Sequence, residues 1–331
     1  MKPAQTDRTP IRKIAVPTDF SPGSTSAMAY ALALATTGDS KVIAVHGVDP
    51  FEYSFGPKDL RYIKKKEIWA RAREAMDQWL QAQQFSGCTT SMVEGEAGPA
   101  IAQFIDHRGI DLTVLGTSAR SHAVRLLLGS VAEEIFRKAN SLVLVLGPKM
   151  QPRRRRQLKR LVFATALEPH SLAALPRLSK LARDFDATVS VIRAVRPDIR
   201  SVAARKNIQT ETESKINAAA DPAFRKLIKK IRVEFGHPVK VITNFANANK
   251  ADAIVMGIRS GGEWGRATTH IPWAIAHRVI AGAKCPVLTI RAQCDANIAS
   301  RARRTALARI DRFRRPGTAS PIRPQRSSLH S

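Results

Sequence analysis

Cysteine is scarce in this sequence, with three residues in a chain of 331. Cys88, Cys285 and Cys294 form neither a Cys-x-x-Cys pair nor a Cys/His metal spacing, so we predict no disulfide framework and no zinc site. Long apolar runs are also absent, since no stretch approaches the roughly 18 residues that span a bilayer. Residues 1–13 are polar and lack the apolar core of a signal peptide. We therefore expect a cytoplasmic protein without a membrane span.

Acidic residues are half as frequent as basic ones, with 27 Asp and Glu against 54 Lys and Arg and a formal net charge of +27. Such a charge predicts either polyanionic partners or a strongly self-repelling, soluble surface. It is concentrated in the block 153–160 and in the segment 293–331, which carries nine Arg against two Asp. The latter segment also contains Pro, Gly and many Ser residues, a composition typical of a disordered basic tail. Two interpretations stay open for these blocks, a solvated linker and tail or a weak contact with nucleic acid or another polyanion.

Signals of catalysis are also lacking. His46, His107 and His122 have no cysteine, serine or paired carboxylates arranged around them in the sequence. A lone histidine is more often a satisfied structural residue than a general base. The P-loop signature G-x4-G-K-(S/T) does not occur, so we predict a binding protein without catalytic residues rather than an enzyme.

The most informative stretch is residues 111–146. Its apolar run Leu112–Leu115 is typical of a buried strand and stops at Gly116, where a glycine allows a sharp turn and leaves room for a ligand. Gly129 and Ser130 then open a helical segment. The first turn of a helix has unpaired N–H groups at the positive end of its dipole, which predicts an anion site at this point.

Apolar strands and amphipathic helices alternate along the first half of the chain in the order βαβαβαβαβ. Strands are predicted at 14–16, 42–48, 89–93, 112–115 and 141–146, and helices at 22–37, 57–84, 99–107 and from 129 onwards. Strands that are apolar on both faces indicate a parallel sheet covered by helices. We therefore predict an α/β, doubly wound, Rossmann-like domain with five parallel strands, whose ligands lie at the carboxyl ends of the strands.

The spacing of small residues after the fourth strand carries a family resemblance. Gly116, two residues, Ala119, nine residues, then Gly129-Ser130 resembles the G-x2-G-x9-G-(S/T) nucleotide loop of the universal stress protein family, with alanine at the middle glycine. The resemblance covers roughly residues 11–147, and a second copy covers about 158–292. It implies a tandem protein with an adenine nucleotide alpha hydrolase-like fold, divided into domains at 10–149 and 158–292, a basic linker at 150–157 and a basic tail at 293–331.

The resemblance also implies a function, namely binding of an adenine nucleotide (ATP, ADP or AMP, with or without Mg) by a stress-response sensor or regulatory module. It implies that the two domains pack against each other as the family's domains pack in dimers, and a homodimer of the whole chain stays open. Slow ATP hydrolysis is not predicted. The cofactor-binding residues that it implies are Pro17, Thr18, Asp19, Gly47, Leu115, Gly116, Ala119, Gly129, Ser130 and Val131. Two roles stay open for Asp19, a ligand to ribose or metal and a cap of the adjacent helix.

The second copy keeps the fold pattern but not the site residues. Ala166 stands where the first copy has Asp19, and either His270-Ile271 or Trp273-Ala274 replaces Gly-Ser, depending on the register. We therefore predict that this copy is structural. Val239 to Gly257 is also shorter than Ser91 to Gly116, which predicts a crossover helix about two turns shorter.

Overall fold

The computed structural model describes residues 11–36, 39–55, 57–117, 129–151, 157–199, 201–258 and 270–291. The first half contains β1 (Lys13–Pro17), α1 (Pro22–Ala35), β2 (Lys41–Val48), α2 (Lys58–Ala82), β3 (Cys88–Glu94), α3 (Ala97–His107), β4 (Leu112–Gly116), α4 (Ser130–Lys138) and β5 (Leu142–Leu146). The second half contains β6 (Arg160–Ala164), α5 (Pro169–Leu172), α6 (Leu175–Asp184), β7 (Thr188–Val195), α7 (Val202–Ala219), α8 (Pro222–Leu227), β8 (Ile228–Phe235), α9 (Pro238–Ala248), β9 (Ala253–Ile258), α10 (His270–Gly282) and β10 (Val287–Arg291).

The strands form one ten-stranded sheet in the order β3-β2-β1-β4-β5-β10-β9-β6-β7-β8. Each half contributes five parallel strands, which confirms the predicted fold class. The halves meet where β5 pairs antiparallel with β10, with Val145 opposite Val287 and Val143 opposite Thr289. All residues of both strands are buried, because helices cover both faces and neither strand has a free edge. The sequence predicted that the halves pack together, but not that they share a sheet.

Each face of this sheet carries a hydrophobic cluster that runs through both halves. One cluster includes Ile14 and Leu144 of the first half with Phe163 and Leu288 of the second. The cluster on the other face likewise draws on both halves. The fully buried side chains alternate along each strand between the two clusters, as the two-residue period of a strand requires. The core of one half is therefore continuous with the core of the other.

Two arginines of the second half bind the carboxyl end of α4. The buried Arg291 donates from Nε to the carbonyl oxygen of Ala139 at 3.1 Å and from Nη2 to that of Phe136 at 2.8 Å. Arg177 of α6 donates from Nη2 to the carbonyl oxygen of Asn140 at 3.0 Å. The last carbonyls of a helix lack intrahelical donors and carry its negative dipole end, so both contacts stabilise α4.

The prediction of a shorter crossover helix in the second half is wrong. Helices α9 and α3 each contain 11 residues. The sequence alignment placed Val239 in a strand, whereas Pro238 begins α9 and the strand is β8, residues 228–235. Proline is favoured in the first turn of a helix, where its missing N–H has no intrahelical acceptor.

Candidate functional site

The turn after β1 has the same hydrogen bonds in both halves. Thr18 Oγ1 donates to Ser24 Oγ at 3.0 Å and accepts from the N–H of Phe20 at 3.0 Å. In the second half Thr165 Oγ1 lies 2.7 Å from the Oγ of Ser171 and accepts from the N–H of Leu167 at 2.9 Å. The residue after Asp19 and the residue after Ala166 have nearly the same φ, 61° and 62°. The turn therefore forms equally well with aspartate or alanine at its centre.

Asp19 does not cap α1, although capping is one of the two roles considered for it. The N-cap is Ser21, whose Oγ accepts from the N–H of Ser24 at 3.3 Å, while Asp19 accepts from the N–H of Ser21 at 3.1 Å. Burial raises the pKa of Asp19, but hydrogen bonds from Ser21 and Ser24 outweigh this effect and hold the pKa below its ordinary value. The carboxylate is therefore ionised at neutral pH.

Asp19 should give the stability of the protein a dependence on acid pH. Because its pKa is lower in the folded than in the unfolded chain, its contribution to the free energy of unfolding is complete above the unfolded value of 3.8 and is lost as pH falls through the folded value. Urea unfolding of the wild type and of Asp19→Asn at pH 7 and at pH 3 measures this contribution. We expect the wild type to lose more stability than the variant between the two values. Equal losses would contradict the prediction.

Gly116 lies where β4 meets the first turn of α1. A Cβ on Gly116 would lie 1.9 Å from the carbonyl oxygen of Gly23. Gly257 occupies the same position in the second half, and a Cβ there would lie 2.8 Å from Cα of Ser171. Both halves thus need glycine at the end of this strand for helix packing. This close approach is a reason for glycine at 116 that sequence reasoning did not predict, and the predicted room for a ligand beside Gly116 stays a prediction.

Gly129 has different surroundings, although it belongs to the same sequence pattern. A Cβ at this position would meet no heavy atom of the described residues within 4 Å, and its φ of −52° and ψ of 154° are accessible to any residue. Helix α4 begins at the next residue, Ser130, and no side chain caps it among the residues described. The first N–H groups of α4 have no intrahelical acceptors, and they lie at the cleft described below.

A cleft at the carboxyl ends of the first-half strands brings these features together. Among its lining residues are nine of the ten predicted site residues, namely Pro17, Thr18, Asp19, Gly47, Leu115, Gly116, Gly129, Ser130 and Val131. The tenth, Ala119, lies outside the described residues. The cleft is also lined by residues that sequence reasoning missed, namely Ser21, Ser24, His46, Ala97, Ile101, Ala132 and Ile135.

His46 and Gly47 position the β2 side of the cleft. His46 Nδ1 donates to the carbonyl oxygen of Thr18 at 2.9 Å, which leaves Nε2 as an acceptor when the ring is neutral. Its ring also packs on Phe20, with centroids 4.6 Å apart. A Cβ on Gly47 would lie 2.8 Å from Cβ of Ala97, so glycine allows α3 to approach β2. The position of His46 directly before Gly47 at the end of a strand was the signal that could have identified it.

The second half differs from the first at the positions that correspond to residues lining the cleft. Ala139 N donates to the carbonyl oxygen of Ile135, and Ala283 N donates to that of Val279. This correspondence places Ala274 at the position of Ser130. Helix α10 already begins at His270, so the N–H of Ala274 falls where intrahelical acceptors exist.

Arg193 and Ala194 stand in the places of His46 and Gly47, because β6 pairs with β7 in the register in which β1 pairs with β2. The Nη1 of Arg193 binds Thr212 Oγ1 at 2.9 Å and Glu211 Oε2 at 3.4 Å. The guanidinium of Arg193 is thus held against α7 by hydrogen bonds to two of its side chains.

These features define a class: a tandem α/β protein of two doubly wound repeats in one sheet, with a helix N-terminus open to a cleft in the first repeat. The sequence profile of the universal stress protein family matches residues 10–147 and again residues 157–291. The chain belongs to this family. Membership agrees with the prediction of a binding protein rather than an enzyme.

Relatives and solved structures agree with this assignment. Universal stress protein MJ0531 of Methanocaldococcus jannaschii is 31% identical over 137 residues, which cover 40% of this chain and 81% of the relative. Universal stress protein MJ0577 of the same organism is 24% identical over 155 residues, covering 42% of this chain and 96% of the relative. The crystal structure of a universal stress protein from Archaeoglobus fulgidus matches 85% of this chain and 98% of its own, with a TM-score of 0.60 and 16% identity. At that identity the match shows a shared fold.

Two further features concern only the described part of the chain. Within it, no cluster of three or more His, Cys, Asp or Glu side chains is arranged to hold a metal ion. No helix there has the length and apolar character needed to cross a bilayer.

Proposed function

We propose that the first half binds an adenine nucleotide (ATP, ADP or AMP, with or without Mg) and that the protein acts as a sensor or regulatory module in a stress response. The observation that carries this proposal is the difference between the two halves. The turn and the glycine contact with the first helix are present in both, so the fold requires them. Asp19 and the open N-terminus of α4 are confined to the first half, and the second half folds without them.

The chemistry of the cleft fits the parts of such a ligand. Leu115, Ile101 and Ile135 give an apolar wall suited to a base. The ionised Asp19 is an acceptor suited to ribose hydroxyls or to a metal ion carried by the phosphates. The free N–H groups at Ser130 and Val131 suit phosphate oxygens, because they are donors at the positive end of a helix dipole. We assign the second half a structural role.

Calorimetric titration of the full chain with ATP, ADP and AMP tests the proposal. The full chain is required because separating the halves would expose the buried pairing of β5 with β10. We expect one nucleotide per chain, and roughly 10- to 100-fold weaker binding in Asp19→Ala, since a hydrogen bond to a charged group contributes about 1.5–3 kcal/mol. The fold of this variant should persist, because Ala166 occupies the same turn in the second half.

The second half provides the matched control for that experiment. Ala166→Asp places a carboxylate in the equivalent turn but leaves α10 without an open first turn at the site. We expect unchanged affinity and still one nucleotide per chain. Binding of two nucleotides per wild-type chain, or undiminished affinity in Asp19→Ala, would contradict the proposal.

The large positive charge favours a second function that is independent of the cleft. Segment 293–331 carries nine arginines and lies outside the described residues. We propose that it contacts nucleic acid or another polyanion, and its removal should weaken RNA binding most at low salt, where screening is least. Filter binding of a 30-nucleotide RNA at several salt concentrations measures the effect, and equal salt slopes with and without the segment would count against it. The cytoplasmic location stays a prediction.

A further inference from the structure

The two edge strands of the sheet, β3 and β8, differ in how their outer backbone groups are satisfied. In β8 the N–H of Val233 donates to Oε1 of Gln209 at 2.9 Å, and Nε2 of Gln209 donates to the carbonyl oxygen of Ile231 at 2.9 Å. The Gln209 carboxamide of α7 thus binds the edge as the N–H and C=O of one residue in an added strand would. Outer groups of an edge strand are otherwise a template for pairing with another chain.

The register of the sheet identifies the corresponding groups on β3. Met92 is paired with His46 as Val233 is paired with Arg193. Gly95 N donates inward to the carbonyl oxygen of Val48, so alternation along the strand turns the N–H of Met92 outward. The carbonyl of Thr90, two residues away, also faces outward. Within the described ranges, no side chain or backbone group forms a hydrogen bond with these two groups.

The outer groups of β3 border a cleft of about 410 Å³ between this strand and α2. Its lining residues are Trp69, Arg73, Met76, Asp77, Thr90, Ser91 and Met92. On the helix side the cleft is bordered by the exposed Arg73. Beside its edge strand the first half therefore has an arginine and a cleft, whereas the second half has the Gln209 carboxamide. The cleft shares no lining residue with the nucleotide cleft.

We propose that this cleft binds an extended, acidic peptide segment of a partner protein, which pairs with the edge of β3. One residue of the peptide accepts at its carbonyl oxygen from the N–H of Met92 and donates its own N–H to the carbonyl of Thr90, taking the role that the Gln209 carboxamide has on β8. Strand addition of this kind draws affinity from main-chain hydrogen bonds and specificity from adjacent side-chain pockets. The net charge of +27 favours an acidic partner and opposes edge pairing of two copies of this chain.

Selection from a phage-displayed library of random octapeptides, with the full chain as bait, tests the proposal. We expect enriched peptides to be acidic, and a synthetic copy of the strongest one serves as the probe for nuclear magnetic resonance. The chain contains six methionines, so ¹⁵N-methionine labelling gives a simple spectrum in which Met76 and Met92 report on the cleft. The Met92 amide signal should shift saturably, whereas Met256 in β9 should not move.

Two variants separate edge pairing from other binding. Arg73→Gln replaces the cation that lines the cleft with a neutral carboxamide. Met92→Pro removes the outward N–H without breaking a bond to β2, a substitution that edge strands tolerate. Each variant should bind the synthetic peptide at least tenfold more weakly than the wild type does. The matched control Gln209→Ala should bind it with unchanged affinity. The proposal is overturned if no peptide is enriched, if both variants retain full affinity, or if the chain instead dimerises through β3.

Discussion

Gly129→Val is expected to abolish adenine-nucleotide binding while leaving the protein folded. The backbone at this position is accessible to valine, and the added Cβ meets no heavy atom within 4 Å in the part of the chain that the structure describes. The branched methyl groups would instead fill the space in front of the first N–H groups of α4, where we propose that the phosphates bind. Loss of two hydrogen bonds to a charged group, each about 1.5–3 kcal/mol, predicts binding weakened on the order of 100-fold or more.

Isothermal calorimetry measures the expected loss of nucleotide affinity, and urea unfolding measures whether the variant keeps its stability. Gly129→Ala is the graded control, because its single methyl group blocks less of the space and should weaken binding less than valine. Ala119→Gly should tighten binding, because it restores the glycine of the family pattern and removes a methyl group that a phosphate oxygen would have to avoid. An unchanged dissociation constant in Gly129→Val, with intact stability, would mean that phosphates bind elsewhere or not at all.

Gly116→Ala should have the opposite effect, a large loss of stability. The added Cβ would lie 1.9 Å from the carbonyl oxygen of Gly23, and both atoms belong to backbone that is fixed by β4 and by the first turn of α1. Overpacking of this kind costs about 1–3 kcal/mol, and more where no flexible side chain can yield, so we expect a loss of roughly 3 kcal/mol.

Chemical denaturation of matched alanine variants tests this expectation. Gly129→Ala, in the same sequence pattern, should stay within about 0.5 kcal/mol of the wild type, as surface changes without contacts do. Gly257→Ala should lie between the two, because its Cβ would approach Cα of Ser171 at 2.8 Å. Equal stability of Gly116→Ala and Gly129→Ala would show that α1 can move away from β4 at little cost.

The contrast between these two glycines shows what the sequence could and could not predict. The apolar period and the glycine positions correctly indicated a strand that ends at Gly116 and a helix that begins after Gly129. They could not separate a glycine required by packing from one without such a contact among the described residues, because that difference depends on Gly23, distant in the chain. Only the folded arrangement reveals the neighbour.

In the second half of the chain, too, the sequence predicted some elements and missed others. Its strands β6, β7, β9 and β10 were readable as apolar runs, whereas β8, whose exposed positions are Lys229, Lys230, Arg232 and Glu234, was not recognised. An edge strand is half solvated, so its composition resembles that of a helix or loop surface. The role of His46 was missed for a related reason: its hydrogen bond to Thr18 joins residues 28 apart in the chain, and its place before Gly47 was the one signal in the sequence.

The antiparallel pairing of β5 with β10 also determines whether assembly of the two repeats depends on protein concentration. Two separate chains joined by such a pairing would associate by mass action, so the fraction of paired molecules would fall on dilution. Here both strands belong to one polypeptide, and the second strand is present at a fixed effective concentration. The assembled unit therefore forms equally well at low and high expression levels. A cell that makes few copies would still contain only complete units.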